Sequence, residues 1–426
     1  MKKTIFACML LAGASSVPAL AGGLFLYETG TAEIGLGSAG YGARAQDAST
    51  VLSNPAGMTR LEGSQVLLGG QLLYAGYGFS TGSGTSPALG TNDGGMPVGW
   101  FPGGGVYYSY SLSPDLKLGF AATGNFGLSG KYDNDWVGRY YIQEATLVGL
   151  SMLPSIAYRV DEHLSLGMAV NLMYGIMKQQ VAINTITGAD GQLKLDDNSW
   201  GWGVNLGALY EVDPQTRFSF TYNSEVKLDF SGPAQFSGLS TGVSNALASH
   251  GLLDTNVGIG IHVPQQVMAS MFHQLNDRWA VLGSVGWQEW SKFGQVELGI
   301  DSSNPVSLTQ NLDFKDTWHV AAGAQYRISQ PWLLNFGVAY DSGFQDNSNV
   351  SPVLPANEAW RFGIGAEKGV SKTFSWGMAA EYAYGGTLNV NKQSTTPVAL
   401  GGRGNLVGSY NNTGILFLGA YANWKM

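Results

Sequence analysis

From about residue 64 onward the chain alternates. In the run Trp200 to Tyr210, one set of alternate positions carries Trp200, Trp202, Val204, Leu206 and Tyr210, and the other carries Gly201, Gly203, Asn205 and Gly207. Past Asp213-Pro214-Gln215 the pattern resumes, with Phe218, Phe220 and Tyr222 on one face and Arg217, Ser219, Thr221 and Asn223 on the other. A period of two is the signature of an extended strand. Strands with aromatics on one side and Arg, Ser and Asn on the other need an apolar exterior and a wet or protein-filled interior. The alternation predicts about fourteen strands, near 64–79, 102–112, 116–127, 142–160, 164–182, 199–213, 216–230, 264–275, 278–292, 313–328, 332–342, 359–369, 373–390 and 411–424.

The connections fall into two alternating classes. Tight turns are expected at Ser113-Pro114-Asp115, Asp161-Glu162-His163, Asp213-Pro214, Asn276-Asp277, Ser329-Gln330-Pro331 and Gly369-Val370-Ser371. Long loops are expected near 80–101, 128–141, 183–198, 231–263, 293–312, 343–358 and 391–410. Short turns on one side and long loops on the other are the habit of bacterial outer-membrane barrels, with the short side periplasmic. Residues 22–63 do not alternate. Glycines 35, 37, 40 and 42 punctuate them, Ala43 to Val51 suits one or two short helices, and Pro55 ends the run. A stretch this rich in small residues and poor in charge reads as a plug inside the lumen rather than a disordered tail.

Composition sharpens this picture. Charged residues make up 12% of the chain, about half the usual globular share, and aromatics another 12%. Mean hydropathy is only +0.01, and beyond residue 21 there is no apolar run of the ~18 residues a membrane helix needs. A barrel reconciles these facts, because apolar and polar faces average out. The predicted class is all-β: a transmembrane antiparallel barrel of about 14 strands (64–426) with a small, partly helical N-terminal plug (22–63). Residues 1–21 read as a cleaved signal peptide, with Lys2 and Lys3, the apolar stretch Ile5 to Leu11, and Ala19-Leu20-Ala21 before Gly22. The one cysteine, Cys8, falls in that segment. Its removal takes two of the 22 basic residues, leaving 20 against 30 acidic ones, a formal charge of −10. Such a chain is a poor partner for nucleic acid.

The string Gly40-Tyr-Gly-Ala-Arg-Ala-Gln-Asp-Ala-Ser-Thr-Val-Leu-Ser-Asn54-Pro55-Ala56-Gly57-Met58-Thr59 resembles the N-terminal hatch of FadL-type fatty-acid and hydrocarbon transporters, whose hallmark is Asn-Pro-Ala. The resemblance continues at Gly124-Asn125-Phe126-Gly127-Leu128, at Trp287-Gln-Glu-Trp290-Ser-Lys-Phe293 and at Phe314-Lys315-Asp316-Thr317-Trp318. It implies a fourteen-stranded barrel in the outer membrane of a Gram-negative bacterium, gated at the hatch around Asn54, Pro55, Ala56 and Gly57. It also implies an inward kink in the third strand at Gly124, Asn125 and Gly127, opening the wall sideways. The implied cargo is a hydrophobic small molecule, a long-chain fatty acid or a hydrocarbon, and Lys315 tips the reading toward fatty acids. The implied surroundings are membrane lipid and lipopolysaccharide, with the protein acting as a monomer and without cofactor or metal.

Lys315 matches a basic position of the family motif and is the leading candidate for a carboxylate head group. Its other reading is a rim lysine reaching toward lipopolysaccharide or solvent. Lys178 and Arg139 are further basic candidates. Phe126, Trp136, Tyr140 and Tyr141 are candidates for an apolar groove at the mouth, although belt aromatics at the membrane interface fit the same pattern. Leu239 to Leu253 suits a short loop helix. Rival classes find less support. Gly238-Leu-Ser240-Thr-Gly242 has the nucleophile-elbow spacing, but without the strand-to-helix turn of an α/β sheet that gives it meaning. The metalloprotease spacing of histidines is absent. An open porin wants a charged constriction and no plug. An adhesive or structural barrel is the remaining alternative.

Overall fold

The computed structural model describes residues 24–186, 188–253, 255–301 and 306–426. The expected signal peptide, Cys8 and the chain start at Gly22 lie outside them. Among the described residues, fourteen strands close the wall. They are β1 (Gln65–Gly76), β2 (Gly99–Ser111), β3 (Leu116–Lys131), β4 (Glu144–Arg159), β5 (Leu164–Ile183), β6 (Gly191–Asp213) and β7 (Thr216–Asn223). The second half comprises β8 (Gln266–Gln274), β9 (Trp279–Gln288), β10 (Thr317–Ser329), β11 (Trp332–Asp341), β12 (Ala359–Gly369), β13 (Phe374–Lys392) and β14 (Leu406–Lys425). Each pairs antiparallel with the next, and β14 returns to β1 in a register running from Gln65↔Lys425 to Gly76↔Gly414. Closure pairs both edges of every wall strand over at least part of its length.

The predicted faces hold. Trp200, Trp202, Leu206 and Tyr210 are exposed on β6, while Gly201, Gly203, Asn205 and Gly207 face inward. Exposed aromatics form two belts. Tyr74–Trp100, Tyr174–Trp200 and Tyr340–Trp360 pair at the loop side, with ring centroids 5.0–5.1 Å apart. Trp279–Tyr326, Trp332–Trp376 and Phe374–Trp424 pair at the turn side. Trp200 and Tyr210 stand ten residues apart, about 33 Å of strand at ~3.3 Å per residue. At a tilt of about 40° this spans roughly 25 Å, the height of a barrel's apolar band.

Three turn-side hairpins use one device. Asp161 Oδ1 accepts from the backbone N–H groups of His163 and Leu164, Asp213 Oδ1 from Gln215 and Thr216, and Asn276 Oδ1 from Arg278 and Trp279, all at 2.7–3.0 Å. These short Asx turns fix the register of the strands that follow them.

The main departure from the predicted strands comes after β7. The alternation continues to 230, but the chain leaves the wall at Ser224, whose Oγ accepts the Val204 N–H at 2.9 Å. Strand Val226–Pro233 then folds against the inner face of β5 and β6. It fits because Gly175, Gly201 and Gly203 leave space: a Cβ on Gly175 would meet Leu228 Cδ1 at 2.8 Å, and one on Gly201 would meet Val226 Cγ1 at 2.6 Å. With Asn256–Val263, Gln295–Asp301 and Val306–Asn311 it forms a second, four-stranded sheet. One face of that sheet buries Val226, Leu228, Phe230, Ile259, Ile261 and Leu298, and the other exposes Lys227, Asp229 and Glu297. Two predicted loops, 231–263 and 293–312, thus carry strands, and 231–263 also carries the expected helix (Thr241–Ser249).

Residues 24–61 fill the lumen with two single-turn helices, α1 (Glu33–Leu36) and α2 (Thr50–Ser53), and a 3-10 turn at Pro55–Arg60. Nearly all of the segment is buried. Close approach is again bought by glycine: Gly35 lies against Gly365, and Gly30 against Gly69 and Gly70, at distances no Cβ would tolerate.

Candidate functional site

A cavity of about 450 Å³ opens among the long loops. Leu312, Phe314, Pro352, Val353 and Tyr141 give it an apolar floor, and Lys392 and Arg403 bring two cations to its wall. Asp313, Asp346 and Asn349 complete its polar side. Lys392 Nζ donates to Asn349 O at 3.1 Å, and the Arg403 guanidinium lies 5.6 Å from the centre of the Tyr141 ring. Burial pushes the Tyr141 hydroxyl pKa up, and the hydroxyl donates to Gly404 O at 2.8 Å. Asp346 is held below the usual aspartate range by the backbone N–H and hydroxyl of Ser348.

Phe314 is the first member of an aromatic series leading inward. Its ring lies 5.0 Å from Phe344, which lies 5.4 Å from Trp290, and Trp290 stacks on Phe126 at 6.5 Å. Phe293 braces the series at 5.1 Å from Trp290 and 6.2 Å from Phe126. All are buried, so a packed row of aromatic side chains runs from the cavity lining at Phe314 to the third strand at Phe126.

At Phe126 the wall is incomplete. β2 and β3 pair only from Ser111↔Lys117 to Gly105↔Thr123. Above that point β2 continues on β1 to Gly99, and β3 continues on β4 to Lys131, each without the other. The separation begins at a bulge: the β3–β4 register shifts between Gly124 and Phe126, leaving Asn125 unpaired there, and Gly127 has φ 101°. A Cβ at Gly127 would overlap Leu147 O. Extra residues of this kind bend a strand away from its neighbour. The freed edge of β3 is covered from inside by the N-terminal segment. Leu26 N–H donates to Asn125 O at 2.9 Å and Gly127 N–H to Leu24 O at 2.7 Å, with Phe25 opposite Phe126.

The lumenal segment is held in two separate ways. Its second half is clamped near the turn side of the barrel. Asn54 Nδ2 donates to Gly42 O (2.9 Å) and Ala208 O (3.2 Å), while its Oδ1 accepts from Ala56 N–H at 3.1 Å. Wall cations bind its carbonyls: Lys117 to Leu61 O, Arg159 to Thr59 O, and Arg217 to Ala43 O. Its first half is held higher up, where Gln71 accepts from Gly30 N–H at 3.1 Å, Tyr107 donates to Thr29 O at 2.9 Å, and Glu28 pairs with Arg361.

Several sequence-stated candidates sit elsewhere. Lys315 donates its backbone N–H to Phe344 O (2.9 Å), but its side chain points to solvent while Phe314 beside it lines the cavity. Lys178 is on the face of β5 opposite buried Met177 and Gln179, so it looks outward. Arg139 is spent on Asp190 at 2.7 Å and on Leu89 O. Although burial pulls its pKa down, the Asp190 partner carries it up overall. Tyr140 gives its hydroxyl to the same Asp190, and burial together with that carboxylate pushes it up to about 12. Trp136 is fully buried against Tyr132 at 4.0 Å and fastens the loops together. Phe126, Gly124, Asn125 and Gly127 do meet at the wall separation. Asn54, Pro55, Ala56 and Gly57 form the clamp at the turn side, and the residues at the separation are Leu24 to Leu26. Lys392 and Arg403 escaped sequence reasoning. Their one signal was two positive charges within the same long loop region of a charge-poor chain. Ser240 caps helix Thr241–Ser249 through Val243 N–H, which accounts for its place in the Gly-x-Ser-x-Gly string.

The profile of the outer membrane protein transport protein family (OMPP1/FadL/TodX) matches residues 12–424. The long-chain fatty acid transport protein of Escherichia coli K12 is 26% identical over 431 aligned positions, covering 92% of this chain and 95% of that protein. Among solved structures, a Pseudomonas aeruginosa FadL homologue superposes with a TM-score of 0.81 at 20% identity, covering 94% of this chain and 99% of its own. The Pseudomonas putida toluene transporter TodX does so with 0.70 at 16% identity, covering 96% and 100%.

Proposed function

The chain belongs to the outer membrane protein transport family (OMPP1/FadL/TodX), and on that premise we propose that it carries hydrophobic small molecules, long-chain fatty acids foremost, through the outer membrane without chemical conversion. The observation that carries the reading is the aromatic series from Phe314 to Phe126, which joins a cavity bearing two cations to a gap in the barrel wall. Lys392 and Arg403 supply charge-assisted hydrogen bonds for a carboxylate, and Leu312, Phe314 and Val353 take the first part of the tail. The chain then moves along the aromatic series and leaves between β2 and β3 when Leu24–Leu26 withdraws from the edge of β3. Concentration difference is the driving force, and the reading calls for one barrel set in lipid and lipopolysaccharide, with no cofactor. The uncharged aromatic series also suits a hydrocarbon, which would pass the cations without using them.

The test uses the pair Phe25→Cys/Phe126→Cys. These positions oppose each other without hydrogen bonds between them, the closer of the two antiparallel spacings. Oxidised, the pair should lock the N-terminal segment onto β3 and stop uptake of labelled oleate by cells lacking another route. Reduction should restore it. Equal uptake in the two redox states would refute exit at this gap, and restored uptake of toluene but not oleate would move the cargo to hydrocarbons.

A further inference from the structure

The outer face of β3 to β6 changes its chemistry row by row toward the loop side. Leu172 lies opposite Trp202, and Tyr174 opposite Trp200 in the aromatic belt. The next row holds Val148, Ile176 and Asn198, whose side-chain oxygen accepts the Tyr174 hydroxyl. Beyond it Ser129, Thr146, Lys178 and Asp196 stand in register, and then Lys131, Glu144, Gln180 and Lys194. Over this short height the wall passes from apolar to polar and charged.

Three lysines gather in the last two rows. Lys178 and Lys194 are diagonal neighbours on adjacent strands, with Cβ atoms about 7–8 Å apart. Lys131 and Lys194 close the two ends of one row, separated by three strand spacings or ~14 Å. Glu144 holds Lys131 at 3.3 Å and Asp196 holds Lys194 at 3.1 Å. Lys178 makes no ion pair among the described residues. Three cations against two carboxylates leave a surplus of positive charge here, on a chain whose net charge is −8. Across the barrel the sign is reversed, because the exposed Trp318 and Trp360 are followed toward the loops by Asp316 and Glu358.

We propose that this patch binds the phosphorylated sugars of lipopolysaccharide, whose acyl chains lie along Leu172, Trp202 and their neighbours below. The site depends on the barrel's place in the outer membrane and not on which cargo it carries. Lys178 is four residues beyond Tyr174 and Lys194 six beyond Trp200, about 13 and 20 Å of strand. At a tilt of about 40° they stand roughly 10 and 15 Å above the belt. A phospholipid carries its one layer of phosphate at the interface, whereas lipopolysaccharide continues outward through sugars that bear further phosphates. The lysines stand at that outer level. Their ammonium groups donate charge-assisted hydrogen bonds to phosphate oxygens, and Lys178 is uncommitted. Glu144 and Asp196 pre-position the other two, which reduces the side-chain freedom lost on binding. Ser129 Oγ and Thr146 Oγ1, 2.7 Å apart, offer hydroxyls at the level of the sugars. Apolar, aromatic, hydroxyl and ammonium groups thus follow one another as acyl chain, interface, sugar and phosphate do in the lipid.

The test measures binding of three lipids to the purified protein in detergent: a short-sugar (rough) lipopolysaccharide, the same molecule with its phosphates removed, and phosphatidylglycerol. Wild type should prefer the phosphorylated lipopolysaccharide over the dephosphorylated one by about tenfold. The triple variant Lys131→Gln/Lys178→Gln/Lys194→Gln should lose that preference, with heat-modifiable gel mobility verifying the folded barrel. Lys227→Gln/Lys292→Gln/Lys315→Gln removes as many charges from the other long loops and should keep it. Equal preference in the two triple variants, whether retained or lost, or no preference in wild type, would overturn the site. Phosphatidylglycerol bound as tightly as lipopolysaccharide through the same lysines would overturn the assignment to the glycolipid in favour of anionic lipid at large.

Discussion

Asn54 offers a direct measure of how the lumenal segment is held. Its side chain is fully buried and makes three hydrogen bonds, two from Nδ2 to Gly42 O and Ala208 O and one to Oδ1 from Ala56 N–H. Asn54→Ala removes all three and leaves their partners without replacements. At about 1 kcal/mol for each net bond the loss is ~3 kcal/mol, on the order of a hundredfold in the equilibrium for local release. The Asp substitution keeps the acceptor for Ala56 and loses both donors, so its effect should fall between wild type and Ala. Amide hydrogen exchange on the purified barrel reads this directly, because local opening shows as lost protection in one contiguous unit. Protection should fall by that factor over residues 43–61 and stay unchanged over 24–31, which Gln71, Tyr107 and Arg361 hold independently. Equal loss in both halves would refute two separate attachments, and loss throughout the wall would show that Asn54 supports the barrel itself.

Gly207→Ala should reproduce the Asn54 effect from the wall side, because its Cβ would overlap Asn54 Oδ1; unaltered exchange over 43–61 would refute that contact. Gly127→Ala cannot keep φ 101° without strain of about 1–3 kcal/mol, so the bulge should relax and oleate uptake fall several-fold while the folded barrel still assembles. Wild-type uptake in that variant would remove the bulge from the route. Asp346 is held ionised below the usual aspartate range by Ser348, so its charged form contributes stability above the unfolded pKa, and this is lost only as pH falls through the lower folded value. Mild acidification should therefore leave its repulsion of an incoming carboxylate in place, whereas Asp346→Asn should tighten oleate binding modestly at neutral pH, by roughly threefold, because water at the rim screens the charge. Arg403→Ala should weaken oleate binding by about tenfold and leave oleyl alcohol alone, the loss of one charge-assisted hydrogen bond.

Alternation made the wall legible because every strand is solvated differently on its two sides, and that asymmetry is written into each pair of neighbours. The same rule failed after Asn223. Residues 226–230 alternate as well as any lipid-facing strand, and nothing local says that their apolar face packs on Gly175 and Gly201 rather than on lipid. The wall separation was legible only in part. Gly124 and Gly127 mark a place where a strand can bend, but the loss of β2–β3 pairing depends on where β2 goes. The cavity was least legible. Lys315, Lys178 and Arg139 were single charges placed by position along strands and loops, yet a side chain's direction at a loop is set by contacts distant in sequence. Asp190 claims Arg139, the outward face of β5 claims Lys178, and Lys392 and Arg403 reach the cavity instead.

The height of the gap has a thermodynamic consequence. Trp100, at the top of β2, belongs to the loop-side aromatic belt, so the stretch 99–104, paired with β1 but not with β3, runs from the outer interface down into the hydrocarbon. A molecule leaving there partitions into oil rather than dissolving in water, and each methylene adds about 0.8 kcal/mol to that transfer. The bilayer thus serves as the sink. Directionality grows with the length of the cargo's own tail, and a short-chain acid, though it fits the same cations, would gain little by stepping out.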